Sequence, residues 1–253
     1  PNCPALPPPG EGHKDCYHPV NFDGTTRGPV NFRATHAQSL NIPAVKTLYL
    51  VGIEEALETL QKFGITTLND PRRYGLSLVL GGGEVRLIEL IGAYSVLAQD
   101  GVRRPQTMIL EIKGADGEIL ESYEEKGEQV FDAQPVRLIN DILSDANART
   151  PIFRGSLGLT LFPNHEVALK TGTSDDHRDA WTVGYSPSLV VGVWAGNNDN
   201  SPMIRQGSSI LAALPIWHTF MAEALKEEPP ETFPKPDPLS PSKPIFRGEY
   251  LLG

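Results

Sequence analysis

Glu166-Val167-Ala168-Leu169-Lys170-Thr171-Gly172-Thr173, followed by AWTVGY at Ala180–Tyr185 and LVVGVW at Leu189–Trp194, is the stretch that decides the fold. Three strand-like runs, Glu166–Lys170, Ala180–Tyr185 and Leu189–Trp194, stand in close order. A parallel pair needs a crossover of a dozen or more residues, whereas an antiparallel pair needs only a turn. The links Thr173–Asp179 and Ser186–Ser188 are turn-length, so the pattern predicts an antiparallel meander. Leu189–Trp194 is apolar almost throughout, as a central strand buried on both faces would be. Ser208–Lys226 then reads as a long apolar helix able to cover the sheet.

Upstream the period changes to that of helices. Thr35–Leu50 carries apolar residues at helical spacing, with a break expected at Pro43. Ile53–Phe63 is an amphipathic helix stopped by Gly64, and Glu84–Gln99 is another that ends at Asp100-Gly101. Thr107–Lys113 and Glu118–Tyr123 flank Gly114-Ala115-Asp116-Gly117 and predict a hairpin. Pro135–Asn147 is expected as one further helix. Helices first, a meander next and a covering helix last define an α/β domain with an antiparallel sheet and a helical lobe. Its expected limits are 31–227, between a Pro/Gly-rich extended lead-in at 1–30 and a Pro-rich tail at 228–253.

With 253 residues, 40% hydrophobic and 21% charged, the chain can bury a substantial core. A net charge of -9 and an acidic pI exclude a nucleic-acid partner. The longest apolar run, Leu189–Ala195, falls far short of the roughly 20 residues a membrane span needs. Pro1 opens without a start methionine, so the chain is expected to begin inside a longer protein. Cys3 and Cys16 lie in the lead-in beside His13 and His18. Zinc ligands come in tighter pairs than Cys3 and His13 offer, so a disulfide comes first, free thiols next and a zinc site last.

Lys170-Thr171-Gly172-Thr173 carries the sharpest chemistry. A glycine removes a side chain from a strand, so a ligand backbone can lie against it. The lysine supplies positive charge and the threonines supply hydroxyls that can hold a carboxylate. A peptide would then bind by strand addition with its C-terminus captured at the strand's end, although Gly and Thr can equally serve a plain turn. A phosphate-binding loop is excluded, because it needs glycine immediately before the lysine and Leu169 stands there. Ser39-Leu40-Asn41 places a hydroxyl and an amide two residues apart, an arrangement that alone is no more than a capping pair.

Penicillin-recognising serine acyltransferases combine Ser-x-x-Lys, Ser-x-Asn and Lys-Thr-Gly. Two of the three are present in that order, 131 positions apart (170 − 39). Their surroundings are NFDG at Asn21–Gly24, SLNIPAV at Ser39–Val45, GLSLVLGG at Gly75–Gly82, GAYSVLAQDG at Gly92–Gly101 and RDAWTVGY at Arg178–Tyr185. Together, from about Tyr17 to Glu227, they resemble the transpeptidase domain of class A, bifunctional penicillin-binding proteins. The wording of GLSLVLGG and RDAWTVGY is most similar to the 1C type.

The resemblance implies the penicillin-binding protein/serine β-lactamase-like fold, incomplete on its N-terminal side. It implies a DD-transpeptidase that moves an acyl group from D-Ala-D-Ala stem peptides to cross-link peptidoglycan, with possible carboxypeptidase activity and β-lactams as inhibitors. Ser39 would relay a proton to the leaving nitrogen, Asn41 would bind the substrate amide, and Lys170 would keep Ser39 a proton donor. Thr171, Gly172 and Thr173 would bind substrate, the Thr173 backbone N–H supplying half of an oxyanion hole. No metal or organic cofactor is called for. His36 and His177 are expected to be ordinary polar residues. The implied location is the periplasmic face of the inner membrane, reached through an anchor outside this sequence.

The Ser-x-x-Lys motif is missing. Its one match, Ser240-Pro241-Ser242-Lys243, lies in the Pro-rich tail, where no helix can bring serine and lysine onto one face. The nucleophile is therefore expected upstream of residue 1, leaving the fragment alone inactive and apolar sheet residues uncovered where its helix would pack. A module that binds stem peptides or β-lactams without catalysis is the alternative.

Overall fold

The computed structural model describes residues 17–204 and 207–238. Cys3, Cys16, His13 and the Ser240–Lys243 match lie outside the described residues. Strands β5 (Ala168–Thr173), β6 (Asp179–Tyr185) and β7 (Val190–Gly196) form the expected antiparallel meander in the order β5-β6-β7. Among the described residues, however, the central and most buried strand is β6, while the apolar run expected to be central is the edge strand β7, with only Val191 buried. Leu169 pairs with Gly184, Gly172 with Trp181 and Trp181 with Trp194, so the register is unbroken across the sheet.

Alternation along the strands divides two faces. On one, helix α7 (Ser209–Ala224) buries Leu214, Trp217 and Met221 against Leu169 and Val191. Each such apolar side chain contributes about 1.5–3 kcal/mol on leaving water. Gly184 permits this approach, because a Cβ there would overlap the Trp217 ring. The Trp217 indole N–H donates to the Val191 carbonyl at 3.0 Å, so the largest buried side chain leaves no unpaired donor. Pro215 stands inside α7 without ending it.

The other face meets the helical lobe. Gly192 lies against Ile91 and Leu87 of α4 (Leu87–Ala98). The Tyr185 hydroxyl donates to Asn140 Oδ1 at 2.8 Å, and Asn140 Nδ2 donates to the Leu97 carbonyl at 2.9 Å. This buried polar pair ties β6 to α4 and to α5 (Ala133–Leu143). A second apolar cluster of Leu57, Ile65, Leu68 and Ala93 holds α3 (Ile53–Lys62) to α4, and Gly64, at φ 97°, turns the chain between them as expected. The expected hairpin is present as β2 (Glu111–Lys113) and β3 (Ile119–Ser122). A two-stranded ribbon of β1 (Val102–Arg103) and β4 (Glu128–Gln129), too short for periodicity to reveal, brackets it.

Several boundaries differ from the sequence expectations. The break in Thr35–Leu50 falls at Gln38–Leu40, between α1 (Phe32–Ala37) and α2 (Asn41–Val51), and not at Pro43. Pro43 occupies the first turn of α2, where no helical partner waits for its missing N–H. The single helix expected at Pro135–Asn147 is two, because the Asp145 carboxylate accepts from the Ala148 N–H and starts α6 (Ala146–Phe153). The first strand runs three residues past Lys170, so the whole Lys170–Thr173 segment is strand. The described parts of the lead-in (17–30) and of the tail (228–238) pack against the domain. Asn21 is buried and its Oδ1 accepts from the Ile42 N–H, while Phe233 is buried against Tyr185. The uncovered apolar residues also lie elsewhere than on the sheet: Leu211, Ile216 and Phe220 of α7 and Tyr49 and Leu50 of α2 are exposed.

Candidate active site

Ser39 is the hinge between α1 and α2, and it adopts φ 55°. L-residues other than Asn and Asp rarely visit this left-handed region, at a cost of about 1–2 kcal/mol. Its neighbours enforce it: the Ser39 N–H donates to the His36 carbonyl at 3.2 Å and the Leu40 N–H to the Thr35 carbonyl at 3.0 Å. Thr35 and Leu40 are themselves buried. The reversal aims the Ser39 side chain at the edge strand β5.

There Lys170 Nζ donates to Ser39 Oγ at 2.7 Å and to the Thr171 carbonyl at 2.7 Å. Sequence spacing placed these residues 131 positions apart, and the fold brings them into direct contact. The direction of the bond matters. An ammonium has only donors, so Ser39 Oγ is the acceptor and its own proton stays free for a third partner. Burial lowers the Lys170 pKa from 10.5 to about 8. His36, one turn before Ser39, is lowered to about 4, first by burial and then by the Lys170 charge. It therefore stands beside the ammonium as a neutral ring, stacked on Phe32 at 6.1 Å. The sequence reading took His36 for an ordinary polar residue, and the nearby Lys170 charge is what sets it apart. His177 sits in the turn after β5, where its carbonyl accepts from the Met203 N–H at 3.0 Å.

Gly172 shares the Lys170 face of β5 and is exposed. A Cβ there would meet only Trp181 Cβ, at an ordinary 3.7 Å. The chain's own packing thus gives no reason for glycine, and the open space lies on the Lys170 face of the strand. Thr173 faces α7. Its hydroxyl accepts from the Ser209 N–H at 3.0 Å and donates to Ser209 Oγ at 3.1 Å, capping that helix. Thr171, on the same face, is buried and paired across the sheet with the buried Thr182. Asn41 opens α2 with its Nδ2 donating to the Val20 carbonyl at 2.8 Å, which leaves its Oδ1 and one N–H. The expected site residues thus separate into Ser39 and Lys170 in direct contact, Gly172 on the Lys170 face of β5, Asn41 at the start of α2, and two threonines on the face turned towards α7.

A half-buried ammonium clamped to a strained serine, beside an edge strand with an empty glycine, belongs to a recognised class. Residues 11–221 match the family model described as the penicillin-binding protein transpeptidase domain, and the chain belongs to that family. Penicillin-binding protein 1A of Aquifex aeolicus is 35% identical over 218 residues, 86% of this chain and 29% of that protein. The protein of the same name from Neisseria cinerea is 31% identical over 86% of this chain and 27% of its own length. The chain thus spans under a third of these relatives. Among solved structures, penicillin-binding protein 1A from Haemophilus influenzae shares the fold, with a TM-score of 0.77 at 23% identity over 92% of this chain and 39% of that one. The PonA1 protein from Mycobacterium tuberculosis, solved in complex with penicillin V, gives 0.74 at 26% identity over 87% of this chain and 63% of its own. These relatives establish the class A transpeptidase domain and its α/β fold. They bear the 1A name or that of PonA1, and the 1C type suggested by the wording is not confirmed.

Proposed function

We propose that this chain supplies the proton-relay and substrate-binding half of a peptidoglycan DD-transpeptidase. The observation that carries this reading is the 2.7 Å contact from Lys170 Nζ to Ser39 Oγ. In the reaction a serine attacks the D-Ala-D-Ala carbonyl of a stem peptide, and the amide nitrogen leaves with a proton. A protonated Lys170 holds Ser39 in the orientation in which its hydroxyl proton points outward, towards that nitrogen. The remaining Asn41 amide atoms serve the substrate's peptide group. The open space over Gly172 lets the peptide lie along β5 by strand addition. The Thr173 backbone N–H forms half of the oxyanion hole. With its hydroxyl bound to α7 and Thr171 buried, the carboxylate clamp falls mainly to Thr173 once Ser209 yields to the ligand.

No serine among the 253 residues has a lysine three positions on except Ser240 in the Pro-rich tail, so the nucleophile is assigned to a segment outside this sequence. β-Lactams are the expected inhibitors, and the place of work is the extracytoplasmic face of the membrane. The test is labelling with a fluorescent penicillin. The intact protein should be acylated, and Lys170→Ala should abolish the label. The 253-residue chain alone should remain unlabelled; a covalent adduct mapped to one of its own serines would overturn the assignment of the nucleophile.

A further inference from the structure

Ser39 and Lys170 stand 131 positions apart, yet both rest on one support, the junction Ser144-Asp145 between α5 and α6. On the Lys170 side, Ser144 Oγ donates to Glu166 Oε1 at 2.8 Å. Arg149 Nη2 donates to the Ser144 carbonyl at 2.8 Å and to the Val167 carbonyl at 3.2 Å. Val167 directly precedes β5, the strand that carries Lys170.

On the Ser39 side the link is Arg33 of α1. Its Nη1 donates to the Asp141 carbonyl at 3.0 Å and to Asp145 Oδ2 at 3.0 Å, and its Nη2 donates to Asp141 Oδ2. The Asp141 carbonyl lies in the last turn of α5, where carbonyls lack a helical partner and a cation is favoured. Asp145 Oδ1 is meanwhile the cap of α6. A planar fork across a helix carbonyl and two carboxylates fixes direction as well as distance, which a flexible ammonium does not. The Arg33 side chain is 40% exposed, so these pairs add little to the stability of the fold.

Their geometry matters more. At six residues α1 is too short to persist on helical propensity. Of its other residues only Thr35 is buried, and the Phe32–His36 stack lies within the helix itself. The segment ends in Ser39, whose left-handed backbone persists only where its surroundings over-determine it. An α1 free to shift would let that hinge relax and carry Ser39 Oγ away from Lys170 Nζ.

We propose that Arg33 is a positioning residue for acyl transfer, locking α1 onto the α5–α6 junction so that Ser39 keeps its place against Lys170. This rests on the transpeptidase reading, in which that pair delivers the proton.

The test uses the intact protein and follows acylation by a fluorescent penicillin over a range of concentrations, which separates non-covalent affinity from the acylation rate constant. Arg33→Met should lower the rate constant about tenfold at unchanged affinity. Arg33→Lys, which keeps a charge but not the fork, should lower it only about threefold. In Arg33→Met the alkaline limb of rate against pH should also move to lower pH, because an ammonium that loses the Ser39 acceptor gives up its proton more readily. A role confined to holding the fold together would leave that limb in place. The proposal is overturned by a wild-type rate constant in Arg33→Met, by a loss confined to affinity, or by a lowered rate with an unmoved limb. If the Met variant does not fold, Arg33→Lys decides, and a wild-type rate there overturns the proposal. Lys170→Ala controls the underlying reading: acylation of that variant at the wild-type rate would sink the proton relay itself, whatever Arg33 does.

Discussion

Replacing Lys170 with Met should abolish acylation and at the same time stabilise the fold. The gap between a pKa of 10.5 and one of about 8 is the excess cost of keeping the lysine charged in the folded state. At about 1.4 kcal/mol per tenfold, that cost is about 3 kcal/mol before screening. Lys170 is only half-buried, so water at the cleft reduces it to about 2 kcal/mol. Against this stand the Thr171 carbonyl and Ser39 Oγ, which lose their donor and turn partly to water, returning about 1 kcal/mol. The net is a gain of about 1 kcal/mol at pH 7, read as a rise in the urea midpoint at unchanged slope. The gain should depend on pH in a defined direction. Above about 8 the folded lysine sheds its proton while the unfolded one holds it to 10.5, so the wild type becomes more stable with rising pH across that window. The advantage of Lys170→Met should therefore shrink between pH 8 and 10.5. A variant less stable than wild type by 1 kcal/mol at pH 7, or an advantage that grows with pH, would refute the picture of a strained catalytic charge.

Other outcomes follow from single contacts. Gly172→Ala should fold with an unchanged melting temperature, since its Cβ meets only ordinary contact, yet lose about a hundredfold in penicillin acylation rate through displaced ligand; an unaltered rate would show that no ligand passes over this residue. His36 is held neutral down to a pKa of about 4, below its unfolded value near 6.5, so stability should fall as pH drops through that window. At pH 5.5 the loss should be about 1 kcal/mol, and His36→Phe should flatten that part of the denaturation profile. Asn140→Leu should cost about 2–4 kcal/mol by orphaning the buried Tyr185 hydroxyl and the Leu97 carbonyl, measured by urea unfolding.

The meander, the covering helix and the hairpin were legible because each rests on local alternation or on links too short for any other topology. Ser39 and Lys170 were legible only by wording, since nothing in periodicity could show that residues 131 apart share a hydrogen bond. What escaped was set by tertiary contact. The break at Ser39 escaped because its left-handed backbone is held by buried Thr35 and Leu40, and a serine carries no local signal for it. The division of α5 from α6 turned on one capping carboxylate, Asp145, in a run that otherwise reads as continuous helix. The tail looked like a spacer because proline density hides a single buried aromatic, Phe233. His36, read as an ordinary polar residue, could not be placed beside the Lys170 charge, because that environment is assembled from distant elements.

The bond from Asn41 to the Val20 carbonyl joins recognition to the leading segment. The amide that would greet a stem peptide already grips the chain some twenty residues before it, and Asn21 fastens the same strap to the next backbone N–H. Because that bond takes only one Nδ2 proton, the Asn41 Oδ1 and second N–H are held in place by the strap, and a shift of the strap would carry the amide with it. The position of the segment around Val20 and the orientation of the Asn41 amide are thereby linked through one side chain.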